Sequence, residues 1–268
     1  MNARRIPFAD LPARVRAAVA ARVGDEYTAK DVELGESAAV AALLETDTGP
    51  VFVKGLPDGH RGARKLDVER RLGPHLPDFA PRLLWSITED GWTLLGFEGL
   101  HVTPWAHFPA GSTHLEPCAA VLRELGGVKA PAQVRLPPLW ARWESYDQQR
   151  AEELLTGDHL VHGDPSCGNF LIDADHHAHL VDWAWAARGP AWATAALWGA
   201  RLMLDGRQTA EQAAAYARNV PAFAAAPREA VAFLTRAEAD WCQYWQHHTG
   251  GYEDRLETAR AWADHWNR

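Results

Sequence analysis

The 268 residues carry 27 basic and 35 acidic side chains, a formal net charge of −8, and 47% of them are hydrophobic. That is enough apolar material for a substantial core, and the acidic balance argues against nucleic acid as the main partner, which would favour a basic face. No run approaches the roughly 18 apolar residues of a membrane span, so no membrane association is expected either.

The acidic excess is concentrated in residues 101–190, with 6 basic and 11 acidic side chains, a balance that suits solubility or a cationic ligand. Cys118, Cys167 and Cys242 are scattered without a CxxC pair, which points to a reducing compartment. The opening stretch MNARRIPFADLPARVRAAVAARVG is charged throughout and lacks the apolar core of a signal peptide, so a cytoplasmic protein is expected. The 13 tryptophans are read as packing in the core and at interfaces.

In chain order, residues 10–23 predict an amphipathic helix, with Leu11, Val15, Val19 and Val23 spaced by four. The stretch AAVAALLETDTGPVFVKGLP predicts two strands joined at Asp47-Thr48-Gly49-Pro50. Residues 61–72 predict a helix stopped by Gly73-Pro74. A second hairpin follows in PRLLWSITEDGWTLLGFEGL, turning at Glu89-Asp90-Gly91. From about 113 onward the pattern is mostly helical, at roughly 113–126, 138–155, 190–204, 209–219, 228–248 and 251–266. Thr209 with Gln212 has the form of a capping box. The exception is 159–183, two short β-rich runs among helices. The fold class expected is α+β in two lobes: a small β-rich lobe at 1–98 and a larger, mostly helical lobe at 99–268, hinged near 97–104.

The chemistry concentrates in LVHGDPSCGNFLIDADHHAHLVDWAWA, residues 160–186. Phe170-Leu171-Ile172 and His179-Leu180-Val181 are strand-like around a polar turn. A hairpin closed by Asp173 opposite Ala178 sets Asn169 opposite Asp182, with their Cβ atoms about 4.5–5.5 Å apart. An amide oxygen and a carboxylate converging there would suit a hard cation such as Mg²⁺, with room left for phosphate oxygens. This placement depends on the register, which a one-residue slip would spoil. Asp164 enters the same region from the strand at 159–162 and could accept a proton from a hydroxyl nucleophile.

His162-Gly163-Asp164 followed by Asn169, with Asp182 in a Val-Asp-Trp strand end, resembles the aminoglycoside phosphotransferase family of small-molecule kinases within the protein-kinase-like fold. It matches the H-x-D-x-x-x-x-N spacing of kinase catalytic loops, with Asp182 in the place of the DFG aspartate. The resemblance covers about residues 30–200. It implies that Asp164 is the catalytic base or hydroxyl-orienting residue, that Asn169 and Asp182 hold Mg²⁺, and that His162 braces the loop.

The same resemblance makes Val51-Phe52-Val53-Lys54 the strand bearing the phosphate-binding lysine. On the helical wheel of 63–72, Glu69 lies in the arc defined by Leu66, Val68 and Leu72, so it points inward and needs a partner. Lys54 is that expected partner; an i, i+4 pair of Lys65 with Glu69 is the alternative. Backbone groups around Phe97, Glu98 and Leu100 are implied to bind adenine, and Ser37, in the one-glycine stretch Leu34-Gly35-Glu36-Ser37-Ala38, to touch the phosphates.

Two positions depart from the family pattern. Gly189-Pro190-Ala191-Trp192-Ala193-Thr194 stands where a Gly-Asp-Pro-x-x-Asp-like run is common, so Thr194 replaces a carboxylate that supports the loop. Pro165 follows the catalytic aspartate where an aliphatic residue is usual.

The expected activity is transfer of the γ-phosphate of ATP to a hydroxyl of a small molecule. An aminoglycoside or similar cationic antibiotic is the favoured acceptor; a sugar or amino alcohol is the alternative, and Trp241, Trp245, Glu238 and Asp240 are candidates to line its site. Two rival classes are a zinc hydrolase, with His162 and Asp164 as ligands among His159, His176, His177 and His179, and a nucleotide-binding pseudoenzyme. The first leaves Lys54 and Glu69 without a role. The second sits poorly with a complete set of Lys54, Asp164, Asn169 and Asp182.

Overall fold

The computed structural model describes residues 5–32, 38–100 and 105–268. The chain divides into two compact units, Met1–Thr103 and Pro104–Arg268.

In the first unit, helix α1 (Ala13–Val23) precedes strands β1 (Tyr27–Asp31), β2 (Val40–Thr46) and β3 (Val51–Pro57), helix α2 (Ala63–Leu72), and strands β4 (Leu83–Glu89) and β5 (Trp92–Glu98). The strands form one antiparallel sheet in the order β1-β2-β3-β5-β4. Alternation along each strand sorts the side chains onto its two faces. Val40, Ala42, Leu44, Val51, Val53, Ile87 and Leu94 pack with Val15 and Val19 of α1. Leu56 and Leu95 take the other face, against Leu66 of α2. Lys54, two residues before Leu56, therefore points to the α2 side. Both predicted hairpins are present, and Asp90 and Gly91 both have positive φ, the two-residue turn that matches strand twist. Strand β1 was not expected; all of it beyond Tyr27 is exposed, so it carries no apolar alternation to read.

The second unit contains α3 (Leu115–Leu125), α4 (Glu144–Leu155), β6 (His159–Val161), β7 (Phe170–Ile172), β8 (Ala178–Leu180), β9 (Ala187–Gly189), α5 (Ala193–Leu204), α6 (Ala210–Ala217), α7 (Pro221–Ala224), α8 (Arg228–Thr249) and α9 (Glu253–Asn267). The helix expected over 138–155 is broken: Leu139–Arg142 is a 3₁₀ turn, and Asp147 within α4 is extended. The capping box at Thr209 and Gln212 is formed. Strand β9, not foreseen, pairs antiparallel with β6. Helices α5 and α9 meet closely at Gly199, where a Cβ would lie 2.3 Å from the Trp262 ring, and the Trp262 indole N–H donates to the Ala196 carbonyl at 3.2 Å. Among the described residues no helix is long and apolar enough to cross a membrane.

Candidate active site

In the first unit, Lys54 Nζ lies 2.5 Å from Glu69 Oε1, both side chains buried. The pattern on α2 produces this: Leu66, Glu69 and Leu72 are its buried residues, so Glu69 is carried inward between two leucines. An unpaired carboxylate there would cost several kcal/mol, on the order of the penalty for any buried lone charge, and Lys54 offsets it. The ammonium also sits 5.7 Å from the centroid of the Phe97 ring. Around the expected adenine segment, the Glu98 amide N–H already donates to the Arg82 carbonyl, and that of Gly99 to Pro50. The Glu98 carboxylate accepts from Arg82, and Leu100 is half-buried. Ser37 lies outside the described residues.

In the second unit, β7 and β8 pair in a register one residue from that expected. Ile172 faces Ala178 and Phe170 faces Leu180, so Asn169 stands opposite Val181 rather than Asp182. The cause is in the turn. The Asp173 carboxylate accepts the amide N–H groups of Asp175 and His177, and the Asp173 amide donates to the His177 carbonyl. With His176 at φ 69°, this closes three residues between Asp173 and His177 instead of four between Asp173 and Ala178. The direct cross-strand pairing of Asn169 with Asp182 is thereby overturned.

Asp182 instead lies beyond the paired strands. Its backbone is left-handed, at φ 61° and ψ 68°, as the chain turns into the 3₁₀ segment Trp183–Trp185. Such a conformation costs a non-glycine residue energy and is more common for Asp and Asn. It re-aims the side chain after the strand ends.

The loop from His162 to Asn169 is tied at each step. His162 is fully buried; its Nε2 donates to the Val181 carbonyl at 2.9 Å, which leaves Nδ1 to face the Asp164 amide at 3.4 Å. Burial holds the imidazole below its usual pKa, against the opposing pull of the Val181 bond and of Asp164 and Asp182, so it stays neutral. The ring also packs edge-on to Trp183, 4.7 Å between centroids. His162 thus braces the loop. At the position where a carboxylate was expected, the Thr194 hydroxyl accepts the His162 amide at 3.2 Å. Gly163 has φ +83°, and a Cβ there would lie 2.3 Å from the Trp185 carbonyl, so no other residue fits. The Asn169 amide nitrogen donates to the Asp164 carbonyl at 2.8 Å, which fixes the orientation of the amide and turns Oδ1 away from that bond.

Sequence reasoning missed three arginines. Arg201 of α5 meets the Asp164 carboxylate at 2.5 Å. Arg142 donates to the Gly163 carbonyl at 2.7 Å, its guanidinium 4.9 to 5.7 Å from the ring centroids of Trp143, Trp185 and Trp241. Arg255 of α9 donates to Glu238 of α8 at 2.8 Å and lies 5.0 Å from the Trp241 ring. A readable signal existed for one of them: Arg201 interrupts the apolar run ATAALWGARLML, and a cation on such a helix needs a partner. Burial alone would push the Asp164 carboxyl up, but the guanidinium groups of Arg201 and Arg255 hold it below the ordinary carboxylate value. Burial likewise works against Arg255, and Glu238 outweighs it, leaving the guanidinium firmly charged.

Of the acceptor candidates, Glu238 is buried and lines a pocket with Asp164, while Trp241 packs on the arginines. Asp240 and Trp245 are exposed. The histidines disperse: His179 and His177 approach Asp173, and His176 packs against His114. Among the described residues no three His, Cys, Asp or Glu side chains gather as a metal site.

No family model matches the sequence, and no curated protein matches it. Solved structures do. The choline kinase LicA from Streptococcus pneumoniae superposes with a TM-score of 0.61 at 14% identity, over 94% of this chain and 99% of that one. A thermostable mutant of aminoglycoside phosphotransferase APH(4)-Ia, crystallised with ADP and hygromycin B, gives 0.62 at 15% identity, over 94% and 97%. The AMP-bound spectinomycin phosphotransferase APH(9)-Ia gives 0.60 at 14%, over 96% of each. The protein-kinase-like architecture expected from the loop motif is therefore the architecture observed, and the chain has the fold of choline kinase and the aminoglycoside phosphotransferases.

Proposed function

We propose that the protein is a small-molecule kinase, moving the γ-phosphate of ATP to a hydroxyl of its acceptor. The observation that carries this reading is the His162–Asn169 loop, in which a carboxylate is held beside an amide by neutral His162, Thr194 and the Asn169–Asp164 bond. The fold shared with structures bound to AMP and ADP supports nucleotide as the donor.

Asn169 Oδ1 and the Asp182 carboxylate are hard oxygen donors of the kind Mg²⁺ takes alongside phosphate oxygens, so the residues fit that ion. When bound, it would neutralise charge on the phosphates. Lys54, positioned by Glu69, is assigned to the α- and β-phosphates. Asp164 orients the acceptor hydroxyl and takes its proton as the oxygen attacks the γ-phosphorus. His162 stays neutral throughout and moves no proton. Its part, with Gly163 and Thr194, is to fix the backbone from which Asp164 projects, since misplacement by about 1 Å can cost roughly 10²-fold in rate.

The test is ADP release over a panel of hydroxyl acceptors, with Asp164→Ala as control. Asp164→Ala should lose at least about 10²-fold in turnover, within the range for a general base, while MgATP still raises the melting temperature. Retention of most of the turnover would remove Asp164 from this role. Absence of any nucleotide effect on melting would remove the kinase reading itself.

A further inference from the structure

The second unit holds a pocket lined by Asp164, Leu197, Arg201, Glu238, Arg255 and Ala259, among others. Each of its two carboxylates already has a cationic partner: Arg201 binds Asp164, and Arg255 binds Glu238 through Oε1. The neighbouring aromatic faces are taken too: Trp241 carries Arg142 and Arg255, and Trp185 carries Arg142. A cationic amine attracted by ring faces or carboxylates would meet guanidinium groups at both.

Hydrogen-bonding capacity leans the opposite way. A guanidinium has five N–H donors in a planar fork suited to a carboxylate. Arg201 and Arg255 each give Nη2 to their acidic partner, and Arg255 also bonds the Cys242 thiol, which leaves part of each five-donor fork unspent on two part-buried cations. One acceptor is also unmet: Glu238 Oε2 is buried without a hydrogen-bond partner, on a residue only 8% exposed. A buried acceptor of this kind calls for a donor.

We infer that the acceptor is a small hydroxylated acid, whose carboxylate binds Arg255 and Arg201, whose hydroxyl meets Asp164, and whose adjacent amine or second hydroxyl donates to Glu238. This inference rests on the kinase reading for the reaction and on the pocket alone for recognition. As the carboxylate draws Arg201 toward itself, the Asp164 oxygen held by Arg201 is freed for the hydroxyl. The acceptor oxygen then bonds to the γ-phosphorus while the bond from that phosphorus to the bridging oxygen of ADP breaks. The hydroxyl proton passes to Asp164. The products are the phosphate ester of the acid and ADP. Arg255 acts as a specificity residue and Arg201 as a positioning residue for Asp164.

The experiment uses the full chain with MgATP and follows ADP release. D-glycerate, L-serine and L-homoserine are each compared with their own carboxamide, beside choline, ethanolamine and hygromycin B. At least one acid should exceed its amide by about 10- to 100-fold in kcat/KM, the worth of a charge-assisted hydrogen-bond pair. Arg255→Gln should raise KM for that acid by about the same factor, change kcat less, and abolish the distinction between acid and amide. Because this variant leaves Glu238 buried without its partner, Arg255→Lys and the double variant Arg255→Gln with Glu238→Gln are measured beside it, with melting temperatures. Preference for the cationic acceptors, or equal turnover of acid and amide, would overturn the inference and leave the kinase reading intact. Calorimetry with the three acids decides the pocket independently of turnover. Acid binding that is lost in Arg255→Gln supports it, and no binding of any acid overturns it. Failure of the kinase reading shows separately, as no MgATP effect on melting.

Discussion

Two ion pairs, one in each unit, look alike in composition and differ in enclosure. Lys54 and Glu69 have side-chain exposures of 8% and 5%, whereas Arg201 and Asp164 have 15% and 26%. The first pair is closed between a strand and a helix, where Glu69 fixes the position of the Lys54 ammonium. The second opens onto a pocket, where a charge held by one partner can be taken over by a ligand. A fully enclosed pair is a positioning device; a partly open one can be a latch on a reacting group.

The largest way to break this contrast is at the enclosed pair. Glu69→Ala should remove the carboxylate held against the buried Lys54 ammonium and cost about 3–5 kcal/mol in urea unfolding. A loss under roughly 1 kcal/mol would mean that water reaches Lys54 and that the two pairs do not differ in enclosure. Next in size is the support under the open pair. Thr194→Val removes the acceptor of the buried His162 amide and should cost about 1–3 kcal/mol, with a fall in turnover that Thr194→Ser restores.

The smallest expected effect is at the open pair. Arg201→Met should cost only about 1 kcal/mol, because Asp164 retains contact with the pocket. Its signature is in pH dependence. The folded-state pKa of Asp164 is depressed, so its contribution to stability is present above the unfolded value near 4 and is lost as pH falls through the folded value. Removing Arg201 lifts the folded pKa toward the unfolded one. The acid limb of the stability curve should then be shallower than in the wild type, read as melting temperature from pH 6 to pH 2. An unchanged limb would show that Arg201 does not govern the charge on Asp164.

The two hairpins explain what could be read from residues alone. Glu89-Asp90-Gly91 needs only a two-residue turn with positive φ, a requirement written in Asp-Gly, and both strands fall where expected. The turn Asp173–His177 is set by one carboxylate gathering two amides and by His176 turning left-handed, and nothing in alternating hydrophobicity announces that. The register therefore slipped by one, and with it the direct pairing of Asn169 with Asp182. Glu69 was legible because it shares a helical face with leucines. Arg142 and Arg255 were not, because no periodic apolar face marks either one and each meets its partner only through tertiary structure: Arg142 with Gly163, Arg255 with Glu238 of another helix. Thr194 was legible as a departure from the family pattern, but its bond to the His162 amide shows only in the structure.

The clasp between Glu238 and Arg255 bears on the order in which the protein acquires its abilities. Arg255 follows Asp164 by 91 positions in the sequence. At translation rates of 5–20 residues per second, the ribosome releases the first well before the second, by roughly 5–18 s. Every residue of the His162–Asn169 loop has therefore left the ribosome before the Arg255 wall of the pocket is made, and that wall is the last part of the pocket to be synthesised.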